Sequence, residues 1–109
     1  MFARNVSLHL KTNTPFSEFT QKFEHDVLPV LRKQNGFQHE ITMINSAGTD
    51  VTAISVWDQK LNAEAYDRAA YPEVLKLLAS IIEGSPTVVM SEVGSSSSNR
   101  NGTTYRASA

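Results

Sequence analysis

The sequence predicts an α+β fold in which a four-stranded antiparallel sheet carries two helical regions on one face. Polar and apolar side chains alternate every second residue in several segments, which is typical of strands. Two longer segments place apolar side chains three or four residues apart, which is typical of helices. These segments follow one another as β-α-β-β-α-β along 109 residues, a length that suits one domain with one core.

The first strand and the first helix come from the N-terminal third of the chain. Residues 2–11 alternate, with Val6, Leu8 and Leu10 on one face of the predicted strand. A helix then starts at Thr14-Pro15 and carries an apolar stripe, which consists of Phe16, Phe19, Phe23 and Val27. Pro29 predicts a kink, because it has no N–H for a helical hydrogen bond. Gly36 ends the helix.

Three strands and a second helical region complete the predicted fold. Residues 37–45 and 51–57 form a hairpin, and the second of these strands is central because it is apolar on both faces. A helix capped by Asp58 or Asn62 breaks at Tyr71-Pro72, and a second helical piece runs on to Gly84. Residues 87–93 form the last strand.

This order of elements predicts a ferredoxin-like domain over residues 1–93, followed by a Ser-rich tail over residues 94–109. With both helical regions on one face, the other face of the sheet stays uncovered. A second copy of the chain is the simplest cover for such a face. We therefore expect a homodimer that forms through the open face of the sheet.

Composition and charge exclude several classes of protein. Ten basic and eleven acidic side chains give a net charge of −1, with no excess of positive charge to hold a nucleic acid. The chain has no Cys, and its three His are not spaced as metal ligands. No apolar run is long enough to cross a membrane. We expect a cytoplasmic protein with no metal, no cofactor, no nucleic-acid partner and no membrane association.

Several local segments in a fixed order carry a family resemblance. Besides the opening strand, they are Val27-Leu28-Pro29, Asn35-Gly36-Phe37, Val56-Trp57-Asp58, Ala63-Glu64-Ala65-Tyr66 and Tyr71-Pro72-Glu73-Val74. Residues 2–93 thereby resemble the antibiotic biosynthesis monooxygenase domains of the dimeric α+β barrel group. The resemblance implies a homodimer whose two sheets meet as a barrel, with a pocket between sheet and helices in each subunit. Members of that group include cofactor-free oxygenases of polycyclic phenols, quinol oxygenases and haem-degrading enzymes.

The haem-degrading branch does not fit this sequence. That branch implies an Asn on the leucine face of the first strand, a Trp on the second helix and a His beyond it. Here Asn5 lies opposite Val6 and Leu8, while Tyr66 and Lys76 stand at the Trp and His positions. Lys is a poor haem ligand at neutral pH, so we expect no haem degradation.

Cofactor-free oxygenation of a phenol or quinol needs a base or hydrogen-bond acceptor and aromatic walls in a dry pocket. We expect His39 to act as the base and Tyr66 to hydrogen-bond the substrate, with Trp57, Tyr71 and Arg68 as further pocket residues. His39 shares a strand face with Phe37, Ile41 and Met43 in this interpretation, and is therefore expected to be partly buried. Each of these residues also has a purely structural interpretation, because a lone Trp is more commonly core and an Arg beside an Asp more commonly a solvated pair.

The residues leave more than one function open. The first hypothesis is a monooxygenase-like homodimer that oxygenates a small aromatic or quinol-type molecule with O₂ and without metal or flavin. The alternative is a non-catalytic module that binds a small ligand or serves in assembly, and an isomerase or lyase is a third hypothesis. A cavity lined by at least two of the candidate polar residues favours an enzyme. A volume filled by Phe19, Phe23 and Leu78 favours a module.

Overall fold

Four antiparallel strands form one sheet in the computed structural model, which describes residues 1–95 of the chain. They are β1 (Phe2–Leu10), β2 (Phe37–Ile44), β3 (Asp50–Trp57) and β4 (Ile82–Glu92), in the spatial order β2-β3-β1-β4. The α+β class and the antiparallel four-stranded sheet are confirmed, and β3 is a central strand as its composition predicts. The predicted tail lies outside the described residues from residue 96 onward.

The first helical region is continuous but is not a regular α-helix. It consists of α1 (Phe16–Lys22), a π-helical turn (Phe23–Val27) and α2 (Leu28–Arg32). In the turn the N–H of Leu28 donates to the carbonyl of Phe23, five residues earlier. Pro29 has no N–H to donate to the carbonyl of His25, so a regular α-helix would leave that acceptor without a partner. The break predicted near Pro29 therefore takes the form of a widened turn.

The second helical region consists of α3 (Lys60–Ala69) and α4 (Tyr71–Leu78), with Pro72 in the first turn of α4. The expected end of this region at Gly84 is wrong, because α4 ends at Leu78 and Gly84 lies inside β4. Ile82 pairs with Leu10, which lengthens β4 at its N-terminal end. The register then shifts between Ser7 and His9, and Gly84 next to this irregularity has a φ of 73°.

A second register shift separates Phe37 from His39 in β2. Phe37 pairs with Trp57 and packs against its ring on the helix side of the sheet, with ring centroids 5.6 Å apart. His39 pairs with Val56 and points to the other side, where it is exposed. The expectation that Phe37 and His39 share a face, and that His39 is partly buried, is therefore wrong. The shift breaks the simple two-residue alternation at this point.

The sheet has one covered and one open face. Alternate residues of β1, from Phe2 to Leu10, are buried under the helices, together with Phe19, Val27 and Leu78 from the helical side. The open face carries apolar side chains that are about half exposed, which are Ile41 at 49%, Met43 at 51% and Val89 at 56%. No helix within residues 1–95 is long and apolar enough to cross a membrane.

Candidate functional site

A small cavity of about 40 Å³ lies between the covered face of the sheet and the helices. Its polar lining consists of Arg4, Glu40, Ser55, Tyr66 and Tyr71. The rest of its wall is apolar and comprises Val6, Leu8, Phe19, Phe23, Val27, Leu31, Ala53, Val74, Leu75 and Leu78. Since a water molecule needs about 10–15 Å³ of such space, the cavity of about 40 Å³ has room for roughly three waters.

Arg4 is the central charge of this site. It lies on the covered face of β1 with 2% exposure, and its guanidinium donates to Oδ1 of Asp67 from Nη2 at 2.6 Å and from Nε at 3.2 Å. Its Cζ lies 3.9 Å from the ring centroid of Tyr71 and 5.1 Å from that of Tyr66. A cation at these distances interacts favourably with both aromatic rings. The two tyrosines and Asp67 therefore hold the guanidinium in one position.

The two tyrosines remain protonated at neutral pH. Burial raises the pKa of Tyr66 to about 12, although the charge of Arg4 works in the opposite direction. Burial also raises the pKa of Tyr71, again against the charge of Arg4. The Tyr71 hydroxyl is buried and has no hydrogen-bond partner among the described residues. Both hydroxyls can thus serve as hydrogen-bond donors, and that of Tyr71 is free to do so.

Trp57 supports the site from behind. Its ring is fully buried, lies 5.2 Å from the ring of Tyr66 between centroids, and does not line the cavity. The indole Nε1–H donates to Oγ of Ser55 at 2.9 Å. Trp57 thereby fixes the orientation of Tyr66 and Ser55.

Glu40 supplies the acidic group of the cavity. It lies on β2 on the helix side of the sheet, and the hydroxyl of Thr42 donates to its Oε2 at 2.7 Å. Burial raises the pKa of Glu40 above that of an exposed glutamate, and the hydrogen bond from Thr42 partly offsets this rise. Sequence reasoning misses Glu40 because alternation counted from Phe37 puts it on the opposite face of β2.

An outer cleft of about 280 Å³ adjoins the cavity at the β2 edge of the sheet. It is lined by Phe19, Thr20, Phe23, Glu24, Leu28, Glu40 and Thr42. Three of these residues, Phe19, Phe23 and Glu40, line the inner cavity as well. They form the partition between the cavity and the cleft.

The residues expected from the sequence are placed as follows. Tyr66 and Tyr71 line the cavity, Trp57 lies behind Tyr66, and His39 and Arg68 are exposed outside the cavity. His39 lies on the open face of the sheet and Arg68 on the solvent side of α3. Within residues 1–95, no group of three or more His, Asp or Glu side chains is arranged to hold a metal ion.

The cavity has features of both an enzyme and a non-catalytic module, as these were distinguished from the sequence. Two of the candidate polar residues line the cavity, as expected for an enzyme, but Phe19, Phe23 and Leu78 form its walls and narrow it. A cavity that holds a benzene ring is on the order of 150 Å³, several times the present volume. An aromatic ligand therefore needs Phe19 and Phe23 to turn away from the cavity.

Solved structures of other proteins have a similar fold. A protein of Bordetella bronchiseptica, named by inference as an antibiotic biosynthesis monooxygenase, has a TM-score of 0.70 at 14% identity, over 84% of this chain and 95% of its own. The ActVA-Orf6 monooxygenase of Streptomyces coelicolor, solved with nanaomycin D, has a TM-score of 0.70 at 18% identity, over 83% of this chain and 84% of its own. A protein of unknown function from Nitrosomonas europaea has a TM-score of 0.68 at 14% identity, over 87% of this chain and 90% of its own.

No protein-family model matches the sequence, and no curated protein matches it either. The similarity to these solved structures nevertheless shows that the chain has an antibiotic biosynthesis monooxygenase-like fold, in agreement with the resemblance seen in the sequence. At these identities the comparisons establish the fold and leave the chemistry to the site itself.

Proposed function

We propose that this chain is a homodimeric monooxygenase-like protein that binds a small aromatic or quinol-type molecule in the cavity between its sheet and its helices. The observation that carries the proposal is the convergence of Arg4, Tyr66 and Tyr71 on a cavity with an otherwise apolar wall. Such a cavity suits a ligand with a flat apolar body and one or two polar groups.

The reaction we propose uses molecular oxygen without metal or flavin. Loss of the phenolic proton leaves an electron-rich anion, whose ring carbon reacts with O₂. One oxygen atom stays on that carbon as the new carbonyl, the second leaves as water, and the substrate is oxidised from a phenol to a quinone. Arg4 and the tyrosine hydroxyls stabilise the negative charge, because a positive group and preorganised donors are most effective where water is excluded.

Access to the cavity involves the π-helical turn. Phe23 is the first residue of this turn, and Phe19 lies in α1 one helical turn before it. Turns of this kind occur frequently at functional sites. We propose that both rings rotate toward the outer cleft when a ligand enters.

Oxygen uptake by the purified protein tests this function. Hydroxynaphthalenes, quinols and anthrones form the substrate panel, and Tyr66→Phe and Tyr71→Phe are compared with the unchanged protein. We expect each variant to lower the rate by about 100-fold, the order of magnitude for loss of a donor to a developing oxyanion. Arg68→Gln is the matched control and keeps the full rate, because Arg68 is exposed outside the cavity.

The outcome of this assay separates the remaining hypotheses. Uptake that is equal in all variants would retain an enzyme but contradict the site. Binding of the panel without oxygen uptake would favour the non-catalytic module, for which the narrow walls formed by Phe19, Phe23 and Leu78 are the supporting observation. Exchange of a substrate C–H proton without uptake would favour an isomerase or lyase, since these reactions also begin with removal of a proton.

A further inference from the structure

Glu40 occupies a place in the fold that the proposed function does not yet use. It lines both the inner cavity and the outer cleft, so any ligand that enters through the partition passes its carboxyl group. Phe19 and Phe23 are the other two residues of the partition, and both are apolar. Glu40 is therefore the polar group that the two spaces share.

The register of the sheet aligns Glu40 with the other polar residues of the cavity. Ser55 on β3 pairs with Arg4 on β1 on one side and with Glu40 on β2 on the other. The three side chains therefore form a row across adjacent strands on the covered face. Strands are about 4.8 Å apart, so the backbones of Arg4 and Glu40 are separated by about 10 Å, with Ser55 between them.

The two ends of this row have opposite charge and opposite hydrogen-bonding character. A guanidinium only donates hydrogen bonds, whereas a carboxylate only accepts them. At the Arg4 end the guanidinium is already held by Asp67 and the two tyrosine rings. At the Glu40 end the Thr42 hydroxyl donates one hydrogen bond to Oε2, and the carboxylate has further lone pairs that can accept hydrogen bonds.

We propose that Glu40 accepts the phenolic proton of the ligand and thereby selects phenols and quinols over ring compounds that lack a hydroxyl group. This inference rests on the proposed function for the class of ligand. In the transfer the O–H bond of the phenol breaks, its electron pair stays on the phenolic oxygen, and the proton forms an O–H bond with the carboxylate of Glu40. The anion that remains faces Arg4, and Glu40 returns the proton to water when the ligand leaves.

The electrostatic surroundings of Glu40 are consistent with this role. The charged and titratable groups around it are Arg4 on β1, Tyr66 and Tyr71 on the helices, and Glu24 across the outer cleft. Burial makes Glu40 more basic than an exposed glutamate, which brings its pKa closer to that of a phenol. Its carboxylate form exists above this raised pKa, so phenol selection is expected to be lost as the pH falls through it.

A matched pair of ligands tests the proposal without any need for turnover. We propose to compare 1-naphthol, which carries the phenolic proton, with 1-methoxynaphthalene, which does not, under anaerobic conditions. Quenching of Trp57, the single Trp of the chain, reports binding because its ring lies next to that of Tyr66. The proteins are the unchanged chain, Glu40→Gln, Glu40→Leu, and Glu18→Gln as the control at an exposed glutamate that lines neither the cavity nor the outer cleft.

We expect the unchanged protein and Glu18→Gln to bind 1-naphthol about tenfold more tightly than the ether, since a hydrogen bond to a charged group has that order of magnitude. The preference declines as the pH falls through the pKa of Glu40. It disappears in Glu40→Leu, and in Glu40→Gln it no longer depends on pH. Circular dichroism confirms that each variant is folded, and Glu40→Gln keeps the size of the side chain.

An unchanged preference in Glu40→Leu would overturn the proposal, and so would failure of the unchanged protein to bind either naphthalene. Phenol selection that depends on Glu40, without oxygen uptake in the separate assay, would leave the role of Glu40 standing and contradict the oxygenase function. Oxygen uptake that persists in Glu40→Leu would support the oxygenase function and contradict the role of Glu40.

Discussion

Arg4 is the one charged side chain among residues 1–95 that is buried. The side chain of its partner Asp67 is 39% exposed, so the two members of the ion pair differ in their access to water. Removal of a charge from water costs several kcal/mol per ion unless a partner and hydrogen bonds compensate for it. The contribution of this ion pair to protein stability therefore depends mainly on whether the buried guanidinium of Arg4 keeps a charged hydrogen-bond partner.

Removal of Asp67 is expected to destabilise the protein more than removal of Arg4. Asp67→Ala leaves a buried guanidinium without its carboxylate and lowers the free energy of unfolding by about 3 kcal/mol. Arg4→Met removes the buried charge with little change in volume, and Asp67 can then be hydrated, so the change stays within about 1 kcal/mol. Urea unfolding of both variants measures the difference.

Asp26→Ala serves as the control for this comparison. It breaks the half-exposed pair with Lys22, in which Nζ and Oδ2 are 3.4 Å apart, and is expected to cost less than about 1 kcal/mol. Equal losses in Asp67→Ala and Arg4→Met would contradict the argument, because they would show that both members of the pair are compensated to the same extent.

Sequence reasoning finds two of the five polar residues around the cavity, Tyr66 and Tyr71. Arg4 carries a signal, since it falls in the same alternation as Phe2 and Val6 and places a charge on an apolar strand face. Glu40 carries none, because the register shift after Phe37 reverses the faces of β2 relative to simple alternation. A bulge of this kind depends on how two strands meet, which a single strand does not encode.

At the scale of elements, the helices show where local pattern suffices and where it fails. The predicted apolar stripe is buried at Phe19, Phe23 and Val27, but its first member, Phe16, is 52% exposed. The residues also predict a break near Pro29, but its form as a π-helical turn depends on which carbonyl finds a donor. The strand assignment of Ile82 depends on its pairing with Leu10, so a helical spacing from α4 misplaces it.

The corner before β2 is fixed by Gly36. Its φ is 82°, its carbonyl accepts from the N–H of Asp58 at 2.8 Å, and Asn62 Nδ2 donates to Asp58 Oδ1 at 2.7 Å. A Cβ at position 36 would collide with the side chains of Asp58 and Asn62. This corner therefore joins the end of the first helical region to the start of α3, the helix that carries Tyr66.

Gly36→Ala is expected to be more destabilising than Gly84→Ala. Both glycines have a positive φ, which costs a non-glycine residue about 1–2 kcal/mol. An added Cβ at Gly84 meets nothing within 4 Å, whereas at Gly36 it forces Asp58 and Asn62 apart, at a further cost of about 2 kcal/mol. Thermal unfolding of the two variants checks this order, and an equal loss would show that the corner moves without cost.

At the scale of the whole molecule, the two faces of the sheet differ in the side chains that they carry. The covered face supplies Arg4, Ser55 and Glu40 to the cavity, while the open face carries the exposed Ile41 and Val89 and the partly exposed Ile54 in a single chain. Exposed apolar side chains grouped on one sheet face of a small domain are typical of an interface. The homodimer that we propose would bury this face and leave the cavity of each copy on the outside of the sheets.

Ile54→Lys is expected to convert the proposed dimer to a monomer. Ile54 lies on the central strand β3 between Asn5 and Ile41, so a lysine there would be buried without a partner in the interface, at a cost of several kcal/mol. Light scattering at micromolar concentration should give about twice 12.0 kDa for the unchanged chain and 12.0 kDa for the variant.

Leu61→Lys is the control, since Leu61 is 70% exposed on α3 at the helical side, and this variant should remain dimeric. A dimeric Ile54→Lys would place the interface elsewhere, and a monomeric unchanged chain would contradict the barrel, because the apolar open face would then be stable in water on its own.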